Sequence, residues 1–301
     1  MSPYCEPRMR RMIASVVVAL TAIAATGCAT HKLSQPIPDM QGRLSVKISN
    51  EPLSKMSELP LGVYQIPDTS VYVSGHQSGT GVGILFYGLI GAAVMHAVDK
   101  STGEKTTQDV QAQLRLDIAK STEKVLVEEL TRRADAKRFA PAGSSGDGSL
   151  EIVPYLVLNF IDDDQVRPWV VLKTRLKNAR GEEKWKTNYI AGVGEVRSLG
   201  GDRGWASNDS EPLRNAVDRN LRLAIGTLLR DASGTLPRGN GRMVKVTAQW
   251  VWVKQLLEMT AEVLDETEET LVVVPKVADA YLFGGVNILD KKAVTVTAER
   301  K

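Results

Sequence analysis

The chain predicts an α+β fold: an antiparallel sheet with helices on one face, followed by a small C-terminal all-β region of the SH3-like or a similar kind. Three observations carry this. Residues 107–133 and 211–231 repeat apolar side chains at helical spacing. Between them, residues 149–161, 166–177 and 184–196 are strand-like and joined by short polar links, as antiparallel hairpins are. After Pro237 the chain changes to short β-rich runs. The order helix, strands, helix places the helices on one face of an antiparallel sheet.

Each element has its own signals. In the first helix the stripe is Val110, Leu114, Ile118, Val125, Leu126 and Leu130. Thr106 or Thr107 is the expected cap, Asp109 suits the first turn, and Arg132 and Arg133 suit the last. In the second helix the stripe is Leu213, Val217, Leu221, Ala224, Ile225 and Leu228, with Asp209 or Ser210 as cap, Pro212 in the first turn and Gly234 as the stop. Of the three strands, Asp162-Asp163-Asp164-Gln165 links the first two and Asn178-Ala179-Arg180-Gly181 the second two. Pro154 and Pro168 belong near strand starts, edges or bulges, because proline cannot donate to a ladder. Shorter strands are expected at 44–48, 63–64 and 70–74.

Pro237-Arg238-Gly239-Asn240-Gly241 reads as a boundary. Beyond it, residues 243–253, 259–264, 271–274 and 293–297 are strand candidates, with a polar turn at 265–269. Trp250 and Trp252, two residues apart, are expected to share one strand face. An aromatic core pair is the preferred reading over a binding platform. The division that follows is residues 1–27, 28–43, 44–236 and 240–301.

The first of these segments is an export signal. Arg8, Arg10 and Arg11 precede a mainly apolar run at 13–25, and Thr26-Gly27 form a small-residue cleavage zone before Cys28. The run is short for a membrane span, which argues against an uncleaved anchor. Thr26-Gly27-Cys28 resembles the lipobox of bacterial lipoproteins. That resemblance implies cleavage between Gly27 and Cys28, diacylation of the Cys28 thiol and acylation of the new N-terminus. Ala29, where Asp would favour inner-membrane retention in enterobacterial sorting, implies the outer membrane, periplasm-facing; the outer leaflet of the inner membrane is the alternative. Two or more acyl chains anchor stably where one does not. Residues 28–43, with Pro36, Pro38 and Gly42, read as a lipidated tether.

Composition narrows the function. The chain of 301 residues carries a net charge of +3, and most of it leaves with residues 1–27. No concentrated basic face suggests a nucleic-acid partner. The two cysteines are Cys5, which is cleaved off, and Cys28, which takes lipid. The mature chain then has no disulfide and no thiol nucleophile. With His31, His76 and His96 as the histidines, no nucleophile–His–acid pattern emerges. No zinc-ligand spacing is present, and Asp162 to Asp164 lack the EF-hand pattern. The expectation is a protein that is not an enzyme, with no catalytic residues, no metal and no cofactor beyond the covalent lipid on Cys28.

The least ordinary stretch is His76-Gln-Ser-Gly-Thr-Gly-Val-Gly83, running into an apolar segment at 84–98. It lacks the Lys-Ser/Thr pair and the spacing of a nucleotide-binding loop. Small residues four apart, Gly88/Ala92 and Ala93/Ala97, would let two helices approach closely, so Gly88 and Ala92 are candidate membrane or oligomer contacts. A buried core element is the preferred alternative, since an uninterrupted apolar run also marks full burial.

These readings converge on an outer-membrane-anchored periplasmic lipoprotein, an accessory or scaffold subunit of a cell-wall or secretion complex. Its expected partners are the membrane, through the lipid, and an envelope protein. The layout is loosely similar to periplasmic lipoproteins that activate cell-wall synthases or assemble secretion channels. The rival readings are a membrane-inserting oligomer acting through residues 79–98, and a peptidoglycan-active, small-ligand or lipid-binding protein.

Overall fold

The computed structural model describes residues 33–38, 42–51, 53, 59–60, 63–75, 103–133, 138–140, 147–239, 241–276 and 284–298. Gly27, Cys28 and the Gly88/Ala92 segment lie outside the described residues. The strands, in chain order, are β1 (Leu44–Ile48), β2 (Tyr64–Gln65), β3 (Val71–Ser74), β4 (Phe139–Ala140), β5 (Gly148–Phe160), β6 (Gln165–Asn178), β7 (Glu183–Gly192), β8 (Arg197–Ser198), β9 (Arg242–Gln249), β10 (Leu256–Glu266), β11 (Thr270–Pro275), β12 (Val286–Asp290) and β13 (Thr295–Ala298). Helix α1 (Ile118–Arg132) precedes β4, and α2 (Ser207–Ala232) follows β8.

The fold is α+β. The centre of the sheet is the antiparallel set β5, β6 and β7, the hairpins expected from the polar links. β5 alternates cleanly. Leu150, Ile152, Leu156, Leu158 and Phe160 face a core shared with α1 and α2, while Tyr155 and Val157 face a second core on the opposite side. Burial on both faces explains why these strands read as near-continuous apolar runs.

The two prolines sit where a neighbouring strand changes. β1 pairs with β5 as far as Ile152, and β3 pairs with it from Leu156. Pro154 falls in the gap, where no ladder needs its N–H. On β6, β8 pairs at Gln165 and Val166, and β7 pairs from Val170, which leaves Pro168 in the corresponding gap.

The C-terminal strands are present, with an arrangement that local pattern does not reveal. β12 pairs in parallel with β7, so β9 to β13 extend the central sheet rather than closing a barrel of their own. Val244, Val246, Ala261 and Val273 pack against Trp169, Val171 and Ile190 in the second core. The 250–253 turn returns to the ends of β3 and β5, where Ser74 Oγ donates to Trp252 O (3.2 Å) and Asn159 Nδ2 donates to Val253 O (2.8 Å). Trp250 and Trp252 are core residues, but they lie beyond the end of β9. Trp252 takes a φ of 73°, stacks on Tyr155 and meets Tyr72 edge-on.

The first helix starts later than its pattern suggests, while the second starts where expected. α1 begins at Ile118, because Asp117 accepts a hydrogen bond from Lys120 N (2.9 Å) and caps it there. Thr107 instead closes an earlier turn, donating to Gly103 O (2.9 Å). Ahead of α2's regular turns, Asn208, Asp209 and Ser210 all have positive φ. Regular helix therefore starts at Glu211, and neither Asp209 nor Ser210 caps it. The Ser210 hydroxyl donates to Gln113 O (2.6 Å) and Asp209 pairs with Arg214 (3.3 Å). The stop is the expected one: Gly234 has φ 73° and its N–H bonds Asp231 O (3.0 Å).

Candidate functional site

The expected tether is in part not a tether. Leu33 is buried, with its side chain against Gly284, where an added Cβ would lie 2.6 Å from Leu33 Cδ1. The Thr187 hydroxyl donates to Leu33 O. The Trp185 indole N–H donates to Gln35 O (3.0 Å), and Arg238 Nη1 donates to Ser34 O (3.1 Å) and Gln35 O (3.2 Å). Residues 33–35 are thus clamped to β7, to the start of β12 and to the chain just after α2. The reason is local: an apolar side chain finds a slot that Gly284 leaves open, and adjacent donors satisfy the carbonyls it brings with it.

Behind this clamp lies a buried charged group. Arg238 Nε donates to Asp231 Oδ1 (3.0 Å), and Nη2 donates to Asp231 Oδ2. The Tyr189 hydroxyl donates to Asp231 Oδ2 (2.6 Å). Burial first, and then the Asp231 carboxylate, push the Tyr189 phenol well above its ordinary range. Arg238 therefore connects the end of α2, the sheet and the N-terminal segment through one side chain.

Two open grooves lie elsewhere among the described residues. One, of about 580 Å³, is lined by Asn50, Gln65, Asp68, Thr69, Arg115 and Asp117. The other, of about 400 Å³, lies beside the first half of α2 and includes Glu195, Arg197, Trp205, Asn215 and Arg219. In it, Arg197 lies over the Trp205 ring (5.4 Å) and pairs with Glu195 (2.6 Å), while Arg219 pairs with Glu269 (3.0 Å).

The carboxylates of the β5–β6 turn and of β10 sit in structural roles. Asp162 Oδ1 accepts from Gln165 N (2.7 Å) and Asp164 N (3.1 Å), which shapes the β5–β6 turn and holds its carboxyl below the usual range. Glu258 pairs with Lys245 (2.9 Å), Asp265 with Arg230 (2.5 Å) and Glu266 with Lys291 (2.8 Å). Among the described residues no group of three or more His, Cys, Asp or Glu is placed to hold a metal ion, and no helix is long and apolar enough to cross a membrane. His31, His76 and His96 lie outside the described residues. Sequence reasoning missed Asp231, Arg238, Thr187, Trp185 and Gly284 as a set. The one local hint was Leu33, a large apolar residue within a polar stretch.

No family model matches the chain, and no curated protein matches it. Among solved structures, the crystal structure of a candidate lipoprotein from Caulobacter crescentus CB15 aligns over 39% of this chain and 81% of its own. The identity is 14% and the TM-score 0.25, a likeness that carries neither fold nor role across.

Proposed function

We propose that this chain is a lipoprotein, lipidated at Cys28 and facing the periplasm from the outer membrane, with a scaffolding rather than catalytic role in an envelope complex. The observation that carries the reading is Thr26-Gly27-Cys28 placed after a basic start and an apolar run. Two features fit it. Leu33, five residues after Cys28, is already docked on the fold, so the chain passes from the lipid site to the body with little slack. In the groove beside α2, Arg197 and Arg219 are engaged by Glu195 and Glu269, as suits a surface that binds rather than reacts.

The test is metabolic labelling with a palmitate analogue in the wild type and in Cys28→Ser, followed by membrane fractionation and in vivo crosslinking. Label on the wild type, none on the variant, outer-membrane recovery and a specific crosslinked envelope partner support the reading. A wild-type chain without label rules out the lipoprotein. Turnover of purified peptidoglycan by the protein rules out the non-catalytic role.

A further inference from the structure

The clamp on residues 33–35 restricts how the body can sit on a membrane. A fully extended chain spans at most about 3.5 Å per residue, so Leu33 lies within roughly 18 Å of the acylated Cys28. The strand that clamps this segment, β7, forms a hairpin with β6 whose outer end is rich in cations. Lys173, Arg175, Lys177, Arg180, Lys184 and Lys186 stand in the stretch 173–186 against Glu182 and Glu183. The helix-side positions of this hairpin, Leu172, Thr174, Leu176, Trp185 and Thr187, are buried. Alternation therefore sends Lys173, Arg175, Lys177, Lys184 and Lys186 to the opposite face.

Arg175 lies directly across from Lys186 in the ladder. Like charges opposite each other weaken a sheet, and here each is offset by carboxylates of the chain itself. The facing carboxylates are Glu51, Glu151, Glu182 and Glu183, in pairs with Arg175 (3.4 Å), Lys177 (2.7 Å), Lys184 (2.7 Å) and Lys186 (3.6 Å). Most of these groups are well exposed, and exposed pairs of this kind are weak enough for phosphate groups to compete. The groove containing Glu195 and Arg219 lies toward the other end of α2. That helix is about 30 Å long from Glu211 to Asp231, by its rise per residue.

On the reading of Cys28 as lipidated, we propose that the outer end of the β6–β7 hairpin lies on an anionic phospholipid surface. The docked residues 33–35 hold it there, and the Glu195–Arg219 groove faces away from the membrane. The lipid anchor supplies proximity, the clamp converts it into orientation, and the cations select the face that meets the headgroups.

The test uses the full lipidated protein in phosphatidylethanolamine vesicles with or without phosphatidylglycerol. Because Cys28 is the one cysteine of the mature chain, a fluorophore can be placed cleanly by Ala179→Cys at the hairpin tip or by Asp202→Cys near the start of α2. Nitroxide-bearing lipids then report contact. The expected result is strong quenching at position 179 and little at 202 when phosphatidylglycerol is present. The membrane-contacting population should fall about fivefold for each cation lost, as Lys184→Gln and Lys186→Gln would show. Gly284→Val, which crowds Leu33 out of its slot, should lower quenching at 179 and raise it at 202. Equal quenching at the two positions, or a hairpin signal indifferent to phosphatidylglycerol, overturns the orientation while leaving the lipoprotein reading intact. Absence of an acyl group on Cys28 overturns both.

Discussion

The Arg238 guanidinium lies bidentate on the Asp231 carboxylate, with the two side chains 4% and 2% exposed. Tyr189 and the carbonyls of Ser34 and Gln35 complete the group. A buried pair is costly to assemble and costlier to break, because removing one partner strands the other charge. Asp231→Ala and Arg238→Ala should each lose about 3–5 kcal/mol of stability in urea titrations. Asp231→Leu combined with Arg238→Met should lose much less. In Arg238→Ala the bond after Leu33 should also become open to limited proteolysis. Single variants as stable as the wild type would mean that the pair is not buried in solution.

Tyr189 makes the protein sensitive to alkali. Its phenol is raised above the ordinary 10.0 by burial and then by Asp231. The folded state therefore holds this proton more tightly than the unfolded chain does. The resulting stability is fully present below pH 10 and is lost as the pH rises further. Tyr189→Phe should flatten the decline above pH 10, at a cost of about 1 kcal/mol at neutral pH for the lost hydrogen bond. Thermal melts at several pH values check this, and an unchanged alkaline slope would remove Tyr189 from the account.

Gly192 is required by Trp169. A Cβ at Gly192 would lie 2.3–2.5 Å from three carbons of the indole, which is fully buried in the second core. Gly192→Ala should cost about 1–3 kcal/mol through overpacking, read as a lowered Tm. Gly181, in the β6–β7 turn with nothing near its missing Cβ but a φ of 79°, should respond to alanine through backbone strain alone and by about 1 kcal/mol.

Asp117 sets where α1 begins. Asp117→Ala removes the acceptor for Lys120 N and should cost about 1 kcal/mol, with fraying of the first turn seen in amide exchange at Lys120. Thr107→Ala should leave that exchange unchanged, since Thr107 serves the preceding turn.

The α+β class and the β5–β6–β7 hairpins were legible because they rest on near neighbours. An alternating strand, a four-residue polar link and a 3.6-residue apolar stripe are each written within twenty residues. The start of α1 was not legible to the same degree. Thr107 and Asp117 are both competent caps, and the choice fell to the one whose helix carries Ile118, Val125 and Leu126 into the core. Prolines 154 and 168 were expected at irregular places, but which gap each fills depends on where β1, β3, β7 and β8 stop.

The amino-acid order alone carries the basic start and apolar run ahead of Cys28, the central strands and the two amphipathic helices, because each is a short-range pattern. Tertiary structure decides the rest. β12 joins β7 across almost a hundred residues, and Arg238 reaches back two hundred residues to Ser34. Such contacts leave no periodic trace, since either partner alone is an ordinary strand, arginine or loop. What selects them is the burial of one shared surface, and that surface does not exist until the distant segments meet.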